Sequence, residues 1–457
     1  MDTGTKIARD VIETPARTLE TTIEQAELIK KEIKKQKPFR EAKNYWNTLG
    51  PGLITGAVDN DPSGITTYSQ IGSKFGFTYL WLSTFTFPLM SMVQEMCARI
   101  GVVTGRGLAG NIKRLFPRWV IIVTSVLLLL ANTFNLGADL GAMAKSTQLI
   151  FPNINFILLL VGFTFLSLGL PIFMSYKKYA RILKWLSLAM LAYIVTGFIV
   201  GGNIQTILTS AFIPSIKFTK ESLILICAFL GTSITPFIFF WQTSQEVEEE
   251  VAIGKTTLML RTKEVTPKEL KNMRIDVISG MFFSQLVAFF IVLTSAGALW
   301  ESGITNITSA QDAAMALRPL VGQYAYLLFA LGIVGTGLLA VPILAGSAAY
   351  CVSETLGVPY GLDRKLKSAY AFYGVMIISV LAGFVINLFN FDIIKLLIYS
   401  AVVNGLIAPV ILTLIVLITS NKKLMGNHVN HPLLTFFGWV ITAIMIVTGI
   451  AAIIALF

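Results

Sequence analysis

Long apolar runs dominate this sequence, and they restrict its fold more than any other feature. The chain has 457 residues, of which 54% are hydrophobic and 13% are charged, whereas soluble proteins carry about twice that charged fraction. Eleven runs are long enough to cross a bilayer as helices. They lie near residues 50–75, 79–103, 119–151, 154–175, 182–203, 221–246, 276–299, 323–351, 369–389, 393–419 and 433–456. Because backbone polar groups in lipid must bond internally, the sequence predicts an all-α polytopic membrane protein.

The distribution of positive charge predicts the orientation in the membrane. The formal net charge is +11, but Lys and Arg fall in the N-terminal tail and in alternate short loops, such as 177–181, 255–274 and 422–423. This is the positive-inside pattern, so we expect a lipid bilayer and no nucleic acid as partner. The N-terminus is then cytosolic, and eleven spans put the C-terminus outside the cell, in the plasma membrane. The oligomeric state stays open, with a monomer as the simplest case.

The sequence also suggests a division into four segments. Residues 1–47 form a charged tail, whose apolar positions between Ile23 and Ile33 suit either a helix lying on anionic lipid or a solvated tail. Residues 48–203 and 204–419 form two halves of five spans each, and 420–457 hold a loop and the last span. The three cysteines stand singly in apolar segments, which predicts neither a disulfide framework nor a cysteine metal site.

Two aspartates interrupt the first predicted span. Asp59 and Asp61 lie inside it, where each acid costs about 2.5–3.5 kcal/mol on insertion scales. Pro62 removes a backbone donor and, with Gly64, favours a break in the helix. Carboxylates beside unpaired backbone carbonyls describe a cation site. The alternative is a kinked helix whose acids pair with a buried base.

A matching interruption lies in the sixth span. The run from Gly231 through Thr232 and Thr235 to Pro236 combines small, hydroxylated and proline residues in mid-span, which favours a second helix break. Five spans separate the starts of the two halves, and the loop charges give the halves opposite orientations. This arrangement is typical of inverted-repeat transporters, whose substrate site lies between two discontinuous helices.

Several motifs together resemble the NRAMP divalent-metal transporters over most of residues 48–430. Gly50-Pro51-Gly52 is followed by Asp61-Pro62, and the run from Gln94 to Arg106 is similar to the signature of the family's second helix. Segments near 328–332, 345–346, 404–409 and 425–426 are similar to its later helices and exit loop. The resemblance implies a LeuT-type 5+5 inverted repeat with broken helices 1 and 6, and a transported divalent metal ion.

The departures from the family pattern concern its metal ligands. Asp61 keeps the family's aspartate, but Gly64 stands in place of its asparagine, and Thr235 in place of the methionine whose sulfur binds metal. Gln242 and Leu338 replace a histidine and a glutamine. A thioether favours transition metals, whereas oxygen ligands suit Mg²⁺. This combination resembles the NRAMP-related magnesium transporters, which also lack the methionine and the histidines.

The resemblance and the two breaks together give a candidate site. We expect Asp61 to bind the ion directly, with Asp59 and Asn60 as further ligands or as partners of its bound water. Ser63, Gly64, Thr232 and Thr235 complete the metal site; Gly231, Pro236, Gln242, Asn404, Asp139 and Glu95 are expected along the pathway or around the ligands. No prosthetic group is expected.

Proton coupling in NRAMP symporters uses histidines of the sixth helix and acids of the third helix. The two histidines of this chain, His428 and His431, both lie in the last loop, so the sequence predicts transport without protons. Two intramembrane acids remain, and each has a simpler explanation. Glu95 can pair with Arg99 one turn away, and Asp139 can pair with Lys145.

We therefore expect a transporter that imports Mg²⁺ and Mn²⁺. The main alternative is a proton-coupled Mn²⁺/Fe²⁺ symporter, followed by an aluminium transporter and by carriers of amino acids or Na⁺ on the same architecture. A signalling receptor with a large cytosolic domain is not expected, since the chain stops in its last span, and no pattern indicates an enzyme. The acidic run Glu246–Glu250 is predicted to be a solvated helix end, with a regulatory cation site as the alternative.

Overall fold

The structure is a computed structural model that describes residues 45, 49–174, 190–200, 202–263, 265–389 and 391–456. Within these ranges the regular secondary structure consists of helices without any strand, which confirms the all-α prediction. The predicted apolar stripe between Ile23 and Ile33 lies outside the described residues. The boundaries drawn between the two halves and around the last span stay predictions.

The described helices are numbered in chain order. They are α1 Pro51–Val58, α2 Pro62–Phe75, α3 Trp81–Thr104, α4 Leu108–Leu115, α5 Arg118–Gln148, α6 Phe156–Phe173, α7 Leu191–Val200, α8 Ile204–Phe212, α9 Lys220–Ser233, α10 Pro236–Ala252, α11 Leu258–Lys263, α12 Pro267–Ser295, α13 Ala310–Met315, α14 Arg318–Val321, α15 Ala325–Leu356, α16 Tyr370–Ile386, α17 Ile393–Thr419, α18 Lys422–Met425 and α19 Pro432–Leu456.

Eight helical stretches in the described ranges are long and apolar enough to cross a membrane. They are Arg118–Gln148, Phe156–Phe173, Lys220–Ala252, Pro267–Trp300, Arg318–Leu356, Tyr370–Phe389, Ile393–Thr419 and Pro432–Leu456. The first predicted span is divided into two short helices, the second is the 24-residue α3, and the fifth is described only in part. The count of eleven therefore stays a prediction. Large apolar side chains such as Phe165, Phe173 and Ile454 are exposed on the outer helices, which suits a lipid environment.

Both predicted helix breaks are present. Helix α1 ends at Val58 and α2 begins at Pro62; α9 ends at Ser233 and α10 begins at Pro236. In each pair the proline occupies the first turn of the second helix, where its missing N–H needs no partner and its fixed φ suits the helix. The local sequence thus stops and restarts the helix twice, and each restart leaves non-helical backbone at the break.

Glycines let the broken helices approach their neighbours closely. A Cβ on Gly56 of α1 would lie 2.1 Å from the backbone oxygen of Gly280 in α12, and one on Gly231 of α9 would lie 2.1 Å from the oxygen of Ala401 in α17. Helix α12 also packs against α2 and α3, while α17 packs against α2 and α5. The two breaks are therefore enclosed by α5, α12 and α17.

The acidic run at the end of α10 is not solvated, so that prediction was wrong. Glu246 and Glu250 are buried, with 7% and 6% of their surface exposed. Glu246 accepts a hydrogen bond from Gln242 at 2.8 Å, and Glu250 lies 3.6 Å from the Lys255 ammonium. The run is buried because α10 packs against α3 and α15, an arrangement that local acidity does not predict.

Candidate functional site

Asp61 is held between the two halves of the first broken helix. Its side chain caps α2, with Oδ1 accepting hydrogen bonds from the Gly64 N–H and the Ser63 hydroxyl, both at 2.7 Å. Its other oxygen, Oδ2, accepts from the Asn135 amide of α5 at 3.0 Å. The carboxylate is 2% exposed. Its orientation is thus fixed from three directions by neutral donors.

The preceding residues face α12. Asp59 Oδ2 accepts a short hydrogen bond from the Ser284 hydroxyl and a longer one, at 3.4 Å, from the Gln285 amide. Asn60 donates to the Ser284 carbonyl at 3.3 Å. Asp59 Oδ1 and Asn60 Oδ1 are buried and have no hydrogen-bond partner among the described residues. Each residue therefore has one anchored atom and one oxygen that remains available as a ligand.

Gly64 marks a small space surrounded by oxygens. An atom added at its Cβ position would lie 3.1 Å from the Asp59 carbonyl oxygen, 3.1 Å from Thr232 Oγ1 and 3.4 Å from Asp61 Oδ1. Thr232 belongs to α9, and its hydroxyl lies 3.5 Å from that of Ser63. Oxygens from both broken helices thus meet beside Gly64, as the matching interruptions predict.

The remaining predicted residues of the second break have distinct positions. Thr235 precedes α10, and its buried hydroxyl has no hydrogen-bond partner within the described ranges. Asn404 of α17 is also buried, with neither amide atom bonded to a described residue. Pro236 starts α10, whereas Gly231 serves the close contact between α9 and α17. Thr235 and Asn404 therefore supply candidate oxygens, and the other two residues shape the break.

The buried acids of the candidate site have no basic partner among the described residues. In the described parts of the chain, Asp59, Asp61 and Asp139 form no ion pair with a lysine or arginine. Lys145 is exposed, and its ammonium lies over the Phe156 ring at 5.1 Å from the centroid. The alternatives of a kinked helix with a buried base, and of an Asp139–Lys145 pair, are therefore not supported.

Gln242 and Glu95 take part in other contacts. Gln242 accepts from the Thr55 hydroxyl of α1 at 2.6 Å and donates to Glu246, so it connects α1 with α10. Glu95 is paired with Arg99 at 3.1 Å and with Arg274 at 2.9 Å. The predicted salt bridge between Glu95 and Arg99, one turn along α3, is thus present.

Three polar residues around the acids were missed by the sequence analysis. Asn135 and Ser284 bind Asp61 and Asp59, and Ser400 of α17 donates to Asn135 Oδ1 at 2.9 Å. A signal was present on α5, where Asn132, Asn135 and Asp139 repeat at the spacing of one helix face inside an apolar span. A polar stripe of this kind predicts a wet or ligand-binding face.

The described side chains alone do not form a dense metal cage. Within the described residues, no group of three or more His, Cys, Asp or Glu is placed to hold a metal ion together. The polar atoms at the two breaks are instead carboxylate, amide, hydroxyl and carbonyl oxygens. Such a set suits an ion that keeps part of its hydration shell, because Mg²⁺ is usually held by one or two carboxylates with several waters.

Known proteins match this chain over most of its length. A family profile described as "Natural resistance-associated macrophage protein-like" (Nramp) matches residues 52–455. The divalent metal cation transporter MntH of Aeromonas hydrophila is 24% identical over 417 residues, which cover 87% of this chain and 93% of that protein. The MntH of Caldanaerobacter subterraneus is 25% identical over 422 residues, covering 90% and 93%.

Solved structures show the same fold. One is the manganese transporter of Eremococcus coleocola in complex with an aromatic bis-isothiourea compound. It has a TM-score of 0.68 at 16% sequence identity, and the match covers 89% of this chain and 86% of that transporter's chain. The nucleobase-cation-symport transporter MHP1 has a TM-score of 0.51 at 14% identity, covering 89% and 91%. The family match covers most of the chain, and the likeness to solved structures extends to its broken-helix fold. The chain therefore belongs to the Nramp family and is a multi-pass membrane transporter and not an enzyme.

Proposed function

We propose that this protein carries divalent metal cations across the membrane, with Mg²⁺ and Mn²⁺ as substrates, through an oxygen-lined site between α1/α2 and α9/α10. One observation carries the proposal: three buried carboxylates, Asp59, Asp61 and Asp139, surround the breaks without a basic partner among the described residues. Buried charges are normally paired or bind metal. The combined charge of two such carboxylates matches that of a divalent ion.

The choice of Mg²⁺ follows from the ligand chemistry. No side chain between Val58 and Gly64, or between Gly231 and Phe237, carries sulfur, and every polar side chain in these two stretches carries oxygen. Hard oxygen ligands suit Mg²⁺ and Mn²⁺, whereas thioether and thiolate ligands would favour softer metals. The unpartnered oxygens of Asp59, Asn60 and Thr235 are placed to hold waters of a hydrated ion. The MntH relatives, described as divalent metal cation transporters, support the inclusion of Mn²⁺.

Transport proceeds without protons in this proposal. The donors to Asp61 are a hydroxyl, a backbone N–H and the amide of Asn135, and none of these groups titrates near neutral pH. His428 and His431 lie between α17 and α19, outside both breaks. The proposal places the protein in the plasma membrane with its N-terminus in the cytosol. An inside-negative potential of 100 mV across that membrane then favours import of a divalent ion by about 4.6 kcal/mol.

A proton-coupled Mn²⁺ symporter is the second candidate, because MntH proteins are among the relatives of this chain. Asp139 is the one buried acid of α5, and it is the residue on which such coupling would depend. The two candidates differ in a measurable way: a symporter acidifies the vesicle interior during metal uptake, and the uncoupled transporter does not.

Replacement of Asp61 tests the proposed site. Asn caps helices as well as Asp does, so Asp61→Asn should keep the start of α2 while removing the charge. We expect the affinity for Mg²⁺ and Mn²⁺, measured by isothermal titration of the detergent-solubilised protein, to fall strongly, with at most a small change in melting temperature. The matched control is Glu301→Gln, which removes an exposed carboxylate. Wild-type affinity in Asp61→Asn would refute the site.

A further inference from the structure

Asp139 is a buried acid that belongs to neither of the two helix breaks. It lies on α5 with no exposed surface, and neither of its carboxylate oxygens has a hydrogen-bond partner in the described ranges. An unpaired ionisable residue inside a membrane protein is costly, and such residues generally mark a pathway or a site.

A cavity of about 460 Å³ begins one turn of α5 beyond this residue, at Ala142. Its lining includes Ala142 and Ser146 of α5, Thr66 of α2, and Leu397 of α17. Six waters occupy roughly 180 Å³ of liquid volume, so the cavity can hold a hydrated divalent ion. The positive-inside orientation places this cavity on the outer side of the membrane.

Helix periodicity places Asp139 between the cavity and Asp61. Residues three, four and seven apart share a helix face, so Asn135, Asp139, Ala142 and Ser146 form one stripe on α5. The outer two line the cavity, and the innermost, Asn135, bonds to Asp61. Asp139 therefore lies on this face between the cavity lining and Asn135.

The other two helices repeat this order. On α2, Thr66 lines the cavity and Ser63, one turn deeper, bonds to Asp61. On α17, Leu397 lines the cavity and Ser400, one turn deeper, bonds to Asn135. The polar residues Ser63, Asp139 and Ser400 thus lie one turn below the cavity floor on the three helices. Asp139 is the acid among these three.

We propose that Asp139 forms an outer cation position, at which a divalent ion from the cavity is held before it reaches Asp61. The inference rests on the proposed function, since it assumes that Asp61 binds the ion. The ligand is a hydrated divalent cation such as Mg²⁺ or Mn²⁺. Asp139 supplies one carboxylate, and the ion keeps waters that bridge to the Ser63 hydroxyl and Asn135.

Mn²⁺ binding to four forms of the full-length protein tests this proposal. Wild type, Asp61→Asn, Asp139→Asn and the double variant are titrated with Mn²⁺, and bound metal is read by electron paramagnetic resonance. The attraction between a carboxylate and a divalent ion about 4 Å away corresponds, at the screening of water, to about thirtyfold in affinity. Glu301→Gln, which removes an exposed carboxylate far from the cavity lining, is the control and should bind as wild type does.

The expected pattern separates the outer position from the inner one. Asp61→Asn should retain weak Mn²⁺ binding at the outer position, and the double variant should bind about thirtyfold more weakly than Asp61→Asn. Asp139→Asn should keep the tighter binding at Asp61. Equal Mn²⁺ affinity in Asp61→Asn and the double variant would assign the residual binding to other groups, such as Asp59, and would overturn the assignment. Absence of Mn²⁺ and Mg²⁺ binding by the wild type would instead refute the proposed function itself.

Discussion

Gly64→Ala probes the space at which the two broken helices meet. The added methyl group would stand 3.1 Å from the Asp59 carbonyl oxygen and from Thr232 Oγ1, and 3.4 Å from Asp61 Oδ1. Gly64 does not have a positive φ, so alanine introduces no backbone strain there. The methyl group would take the place of an ion-bound water or of the ion itself, and it offers no hydrogen bond in return.

The magnitude follows from the contacts removed. Leaving one buried polar group unsatisfied costs about 1–3 kcal/mol, which corresponds to a loss of roughly 5- to 150-fold in affinity for Mg²⁺. The free energy of unfolding should change little, because the gain in helix propensity, up to about 1 kcal/mol, offsets the crowding. We therefore expect a large change in binding with a small change in stability.

Isothermal titration with Mg²⁺ and a thermal melt of the same sample measure both quantities. Gly162→Ala in α6 is the matched control, because nothing lies within 4 Å of its added methyl group. It should change neither Mg²⁺ affinity nor uptake. Wild-type Mg²⁺ affinity in Gly64→Ala would show that the space beside Gly64 is not part of the site.

Three further substitutions test other parts of the account. Gly56→Ala should lower the melting temperature, since its methyl group would lie 2.1 Å from a backbone oxygen of α12 and overpacking typically costs about 1–3 kcal/mol; Gly374→Ala, with open space around it, should melt as wild type does. Asn135→Ala removes the donor to Asp61 Oδ2 and should weaken Mg²⁺ binding roughly tenfold by titration; equal affinity would contradict its positioning role. Lys145→Gln removes a positive charge from the cavity wall and should speed Mg²⁺ uptake at low salt but not at high salt; a gain that persists at high salt would argue against electrostatic repulsion.

The sequence predicted the features that depend on local chemistry. Pro62 and Pro236 marked the starts of the second half-helices, because proline suits the first turn and disfavours helix before it. The acids beside Pro62 indicated the proposed site, because the cost of an acid in a membrane is evident from sequence alone. The all-α fold and the two helix breaks could therefore be predicted from the sequence alone.

The sequence did not predict features that depend on packing between distant segments. Ser284 and Ser400 lie in apolar spans more than 200 residues from the acids they support, either directly or through Asn135, and no local pattern places them there. The acidic end of α10 was read as solvated because charge is normally exposed, yet α3 and α15 cover it. Such contacts become visible only when the helices are assembled.

Flux through reconstituted protein tests the central claim most directly. Proteoliposomes would carry an internal Mg²⁺ indicator and an internal pH indicator, with an inside-negative potential imposed across the membrane. We predict saturable Mg²⁺ influx without internal acidification, abolished in Asp61→Asn. Mn²⁺ uptake accompanied by acidification, with no Mg²⁺ influx in the same preparation, would contradict the account and identify a proton-coupled manganese symporter.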